Sequence, residues 1–116
     1  MTKDKVDLAM TNFREFCEHE IVWYEEQIQS NKSFLEITNR QIKREREWSK
    51  KIYQYILDKP EKDEYDLKYI SAGKFETVEL KKLYKDRQYY YRSTKKYQKK
   101  IEDLKKKVEK YRVMGY

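Results

Sequence analysis

Along residues 80–111, apolar side chains recur almost unbroken at alternating intervals of three and four, the period of a helix buried along one side against another helix. One register holds Leu80, Arg87, Thr94, Ile101 and Val108, and the other Leu83, Tyr90, Tyr97, Leu104 and Tyr111, so the seam persists for more than four heptads. On the opposite face Lys85, Arg92, Lys99 and Lys106 recur every seven residues. Such a segment has a buried stripe and a basic outer ridge, and it needs a partner helix.

The first half of the chain supplies one. No Gly or Pro occurs before Lys59, so a continuous helix over about 4–57 is sterically allowed. Ile21, Ile28, Leu35, Ile42, Ser49 and Ile56 fall seven apart, and the companion register reads Met10, Cys17, Tyr24, Asn31, Thr38, Glu45 and Ile52. The polar members weaken burial, but a buried Asn is a known device for setting register. Phe13, Phe34, Trp48 and Tyr55 widen the stripe on one flank, as a helix covering more than one partner would require. Two cap-like pairs, Asn12 with Glu15 and Ser33 with Glu36, compete with continuity. A break at 30–33 would give a three-helix bundle, but the seven-residue phase of the isoleucines passes through it without a skip, which favours one helix.

The helical pattern stops over 58–76, which contains Pro60 and Gly73. At nearly twenty residues this turn is long enough for a short helix over 60–70 with Pro60 near its start. Thr77 is placed to cap a second long helix over about 77–113, and Gly115 to end it. The expected fold is therefore all-α, a single domain over 1–116, an elongated antiparallel helical hairpin or coiled coil, with the three-helix bundle as the alternative.

Composition agrees. Charged residues make up 42% of the chain and hydrophobic ones 38%, too polar a balance for a thick globular core. There is no apolar run long enough for a membrane span, and the charged start does not read as a secretory signal, so a cytoplasmic protein is expected. Cys17 and His19 are the only residues of their kinds and, two apart, point to different sides of a helix, which disfavours a metal site. No phosphate-binding Gly-rich loop and no catalytic pairing is present, so neither catalysis nor a cofactor is expected.

Charge follows the same division. Residues 1–36 have four basic and eight acidic side chains, whereas 77–116 have fourteen and five. An antiparallel hairpin brings the basic end of the second helix beside the acidic start of the first, lowering repulsion. At about 1.5 Å per residue the arms reach roughly 80 and 50 Å, so if residues 57 and 77 flank the turn the second helix runs out near residue 22. Val6, Met10, Phe13, Phe16 and Cys17 would then lack an intrachain partner. With Trp23, they form a candidate interface for a target or for a second copy, unless residues 1–20 fold back over the hairpin.

Two further surfaces are candidates. Lys81, Lys82, Lys85, Tyr89, Arg92, Lys95, Lys96 and Lys99 project away from the seam, where phosphates of a nucleic acid or carboxylates of an acidic partner would find successive contacts. A charge run on a coiled coil is also simply a solvated face, and Glu102, Asp103 and Glu109 interrupt this one. Near the turn, Arg40, Lys43, Arg44, Arg46, Lys50 and Lys51 surround Trp48, a mixture of residue types that anchors interfaces. Pairing of those arginines with Glu45, Glu47 or Asp86 is the structural alternative.

Rich in Lys, Ile and Tyr and poor in Ala, Gly and Pro, the chain looks like the product of an AT-rich gene and resembles small accessory proteins of phage and mobile elements. That resemblance implies a non-enzymatic protein that binds and blocks or retunes a larger protein or ribonucleoprotein complex that handles nucleic acid, as an anti-defence inhibitor does. Direct non-specific nucleic-acid binding along the ridge, and a structural coiled-coil role in an assembly, are the alternatives.

Overall fold

The computed structural model describes residues 3–116, and every regular element in them is helical. Helix α1 spans Lys3–Asp58, α2 spans Glu64–Ala72 and α3 spans Val78–Val113. Two long antiparallel helices and a short one in the turn make the expected helical hairpin. α1 is a single helix of 56 residues that runs through 30–33 without a break. The Ser33 hydroxyl donates back to the Gln29 carbonyl at 3.4 Å instead of capping a new helix. α1 ends where Lys59 precedes Pro60, a position at which the proline ring disfavours helical backbone.

The turn corrects one expectation. Its helix begins at Glu64, and Pro60 lies in the bend before it. The start is set by a capping box: the Asp63 carboxylate accepts from Asp66 N–H at 2.8 Å, and the Asp66 carboxylate accepts from Asp63 N–H at 3.1 Å. This satisfies two otherwise orphaned donors. Gly73 ends α2 at φ 72°, with Lys74 N–H returning to the Tyr69 carbonyl, and Gly115 closes α3 at φ 89° in the same way.

Two compact units arise, one joining α1 up to Ser33 with the chain from Tyr90 onward, the other being Phe34–Tyr89. In the first, Cys17, Ile101 and Val108 are buried. Tyr24 lies 5.5 Å from Tyr97 and Phe13 5.4 Å from Tyr111 between ring centroids. Asn31 is buried and donates to the hydroxyls of Ser93 and Thr94 at 2.9 and 3.1 Å. Arg112 reaches Glu18 at 3.1 Å, an ion pair across the acidic and basic arms.

In the second unit Ile42, Leu80 and Leu83 form the core, with Tyr84 packed against it. Removing Leu80 from water is worth about 1.5–3 kcal/mol, since only 2% of it stays exposed. Thr77 connects α1 to α3. Its hydroxyl donates to Glu45 Oε2 at 2.9 Å and accepts from Leu80 N–H at 3.1 Å, while its own N–H donates to Ser49 Oγ at 3.3 Å. Asn31, Glu45 and Ser49 of the seam are thus hydrogen-bonded, which removes most of the cost of burying them.

These pairings correct the expected overhang. Thr77 sits beside Glu45 and Ser49, not beside Leu57, because the residues between α1 and α3 turn back along α1 before α3 begins. α3 therefore reaches the start of α1, where Tyr111 packs on Phe13 and Arg112 on Glu18. Cys17 is 1% exposed, enclosed by its own chain. Ile56, seven residues past Ser49, is also buried.

Candidate interaction surfaces

Helix geometry divides the side chains of unit Phe34–Tyr89 into two flanks and an outer face. On one flank of α1, Phe34, Gln41, Trp48 and Tyr55 recur every seven residues. Trp48 and Tyr55 are 56% and 68% exposed, so Trp48 is open to a partner as an interface candidate must be. A recess on this flank is lined by Gln41, Arg44 and Glu45 of α1 and by Glu79 and Leu83 of α3. Trp48 shares a second recess with Arg44 and Lys51, which stand four residues before it and three after it, and with Glu45 and Glu47. The Lys59 ammonium lies 5.7 Å from the Tyr55 ring centre.

The other flank is basic. A groove of about 390 Å³ runs beside Ile42, lined by Asn39, Lys43, Arg46, Glu47, Lys50 and Arg87. Arg46 and Lys50 also border a neighbouring recess that holds Lys74, Phe75 and Tyr84. Arg87 is half-buried at a seam position, its guanidinium 5.2 Å from the centre of the Tyr84 ring. Among the described residues none of Arg40, Lys43, Arg44, Arg46, Lys50, Lys51 or Arg87 is in an ion pair, so the alternative, in which the arginines pair with Glu45, Glu47 or Asp86, does not form.

On the outer face of α3, Lys81, Lys82, Lys85 and Tyr89 are exposed in this unit, and Arg92, Lys95, Lys96 and Lys99 in the other. In the unit containing both chain ends, Phe16 and Trp23 are 57% and 48% exposed, and Met10 is half-buried. Trp23 packs edge-on against Tyr24 and Tyr97, and Phe13 stacks on Phe16 as well as on Tyr111. The aromatic residues at this end are thus partly occupied inside the chain, whereas Trp48 is not.

At the turn, Lys59 Nζ donates to both oxygens of Asp66 at 3.2 Å. The hydrogen bond from Asp63 N–H first, and then the Lys59 ammonium, hold the Asp66 carboxyl below its ordinary 3.8, against the opposing effect of burial. The same hydrogen bond raises Lys59 above 10.5. This is a structural clasp.

Sequence reasoning did not single out Arg87 as a candidate, since its place in the heptad assigned it to the seam, where it is half-buried. A charged residue where Leu or Ile belongs was the available signal. Among the described residues no cluster of His, Cys, Asp and Glu could hold a metal ion, and no helix is long and apolar enough to cross a membrane. The chain matches no known protein family, no curated protein and no solved structure.

Proposed function

We propose that this chain is a non-enzymatic, cytoplasmic protein-binding module that docks on an acidic surface of a larger, nucleic-acid-handling partner and so blocks or retunes it, in the manner of a phage accessory inhibitor. The observation that carries this reading is Trp48 with Tyr55, two large aromatic side chains exposed seven residues apart, with the unpaired cations Arg44 and Lys51 beside Trp48. Trp, Tyr and Arg dominate binding energy where they enter a partner's pockets. Glu45 of the same recess accepts a hydrogen bond from Thr77, whereas Arg44 and Lys51 are left to meet carboxylates of a partner, offset in part by Glu47.

The test is retention of partners from a lysate of the source cells by the immobilised chain and by its Trp48→Ala/Tyr55→Ala variant, each with nuclease treatment. A protein retained by the wild type after nuclease and lost by the variant supports the reading. Equal retention by both overturns it.

A further inference from the structure

We propose that the groove on the opposite flank of α1, lined by Lys43, Arg46, Lys50 and Arg87, is a binding site for the phosphodiester backbone of a nucleic acid. It does not depend on the aromatic stripe, which faces the other way.

Arg87 carries the inference furthest. It stands at a seam position, half-buried, where an apolar residue would pack better, and no carboxylate of the described chain pairs with it. A partly desolvated charge without a counter-ion is costly unless an anion arrives. Its guanidinium lies 5.2 Å over the centre of the Tyr84 ring, a contact that engages the face of the group and leaves its edge donors for oxygen acceptors. Lys43, Arg46 and Lys50 line the same groove from one face of α1, and Glu47 is the one carboxylate among the lining residues.

The dimensions fit a chain of phosphates better than a single ion. Lys43 and Lys50 are separated by about 10 Å along the helix axis, too far apart to share one small anion, so the cations of the groove suit successive phosphates of a strand. The half-buried Tyr84 and Phe75 in the adjoining recess supply apolar surface of the kind on which a base rests. This differs from a charge run on a solvated face: the cations here converge on a concavity, and one of them is built into the seam.

The experiment is fluorescence anisotropy with a labelled single-stranded 20-mer, titrated with the full chain over a range of salt concentrations. For the wild type we expect binding that weakens steeply with salt. Lys43→Gln/Arg46→Gln weakens it at least about tenfold, as loss of charge-assisted contacts should, while Lys95→Gln/Lys99→Gln on the outer face changes it by less than about threefold. Arg87→Leu separates binding from folding. It restores an apolar seam residue, so it raises the melting temperature while it lowers affinity and flattens the salt slope by about one contact. No binding by the wild type, equal losses in the groove and outer-face variants, or unchanged affinity in Arg87→Leu each overturns the proposal. So does competition by poly-glutamate as effective as that by unlabelled oligonucleotide at equal charge.

Discussion

Asn31 reaches Ser93 across the helix pair, donating an amide hydrogen to its hydroxyl at 2.9 Å while Ser93 donates onward to the Tyr90 carbonyl at 3.3 Å. A second donation to Thr94 uses the remaining amide hydrogen. This satisfies a buried polar side chain only when α1 and α3 are in this register. Asn31→Ala should therefore cost about 1–2 kcal/mol in chemical denaturation. Asn31→Leu should hold or raise stability but lose uniqueness, giving more than one species in analytical ultracentrifugation. A single monodisperse species in Asn31→Leu would show that the register is set elsewhere.

Thr77 is the corresponding device at the start of α3. Its hydroxyl caps the helix and also satisfies the half-buried Glu45 carboxylate. Thr77→Ala should lower stability by about 1–2 kcal/mol, the usual range for a lost N-cap. Thr77→Ser, which keeps the oxygen, should recover most of it. Equal losses in the two variants would assign the effect to the methyl group instead.

The clasp at the turn predicts a pH dependence with a definite sign. Asp66 is shifted below 3.8, so its contribution is present above that pH and is lost as pH falls through its folded value. Lys59 is shifted above 10.5, so its contribution holds below that pH and is lost as pH rises through its folded value. Amide hydrogen exchange in α2 should be flat across neutral pH and accelerate, relative to its intrinsic rate, below pH 3.8. In Asp66→Asn the protection should be lower throughout and the acid step absent.

The heptad positions were legible in the sequence because burial repeats with the helix: Cys17, Ile42, Ile56, Leu80, Leu83, Ile101 and Val108 all fall on the two registers read from it. The register of α1 against α3 was not, since a heptad pattern looks the same when one helix slides by seven residues along the other. The choice rests on Thr77 with Glu45 and Ser49, and on Asn31 with Ser93, hydrogen bonds for which periodicity carries no signal. For that reason the overhang was expected at Phe13 and Cys17, where α3 in fact packs. Trp48 and Tyr55 were visible as a flank of the stripe. Arg87 was hidden by its seam position.

Cys17 offers a direct check on this register. At 1% exposure its thiol should react with a disulfide reagent only through opening of the unit around it. Labelling should be slow in the native protein, fast in denaturant, and accelerated by Tyr111→Ala, which removes the ring packed on Phe13 at that end. Labelling of the native protein as fast as that of the unfolded chain would place α3 short of residue 17, leaving the first turns of α1 uncovered.

Two aromatic residues on the same flank of α1 should behave in opposite ways. Phe13 lies 5.4 Å from Tyr111 inside the chain, so Phe13→Ala should cost about 1 kcal/mol or more of stability and leave partner binding intact. Trp48 is 56% exposed, so Trp48→Ala should change stability by no more than about 0.5 kcal/mol. If Trp48 is the anchor, the same substitution should cost at least about 2 kcal/mol of binding, a thirtyfold loss in affinity by titration calorimetry with the captured partner. The reverse pattern, in which Phe13→Ala loses the partner and Trp48→Ala does not, would move the interface to the end of α1 that carries Phe16 and Trp23.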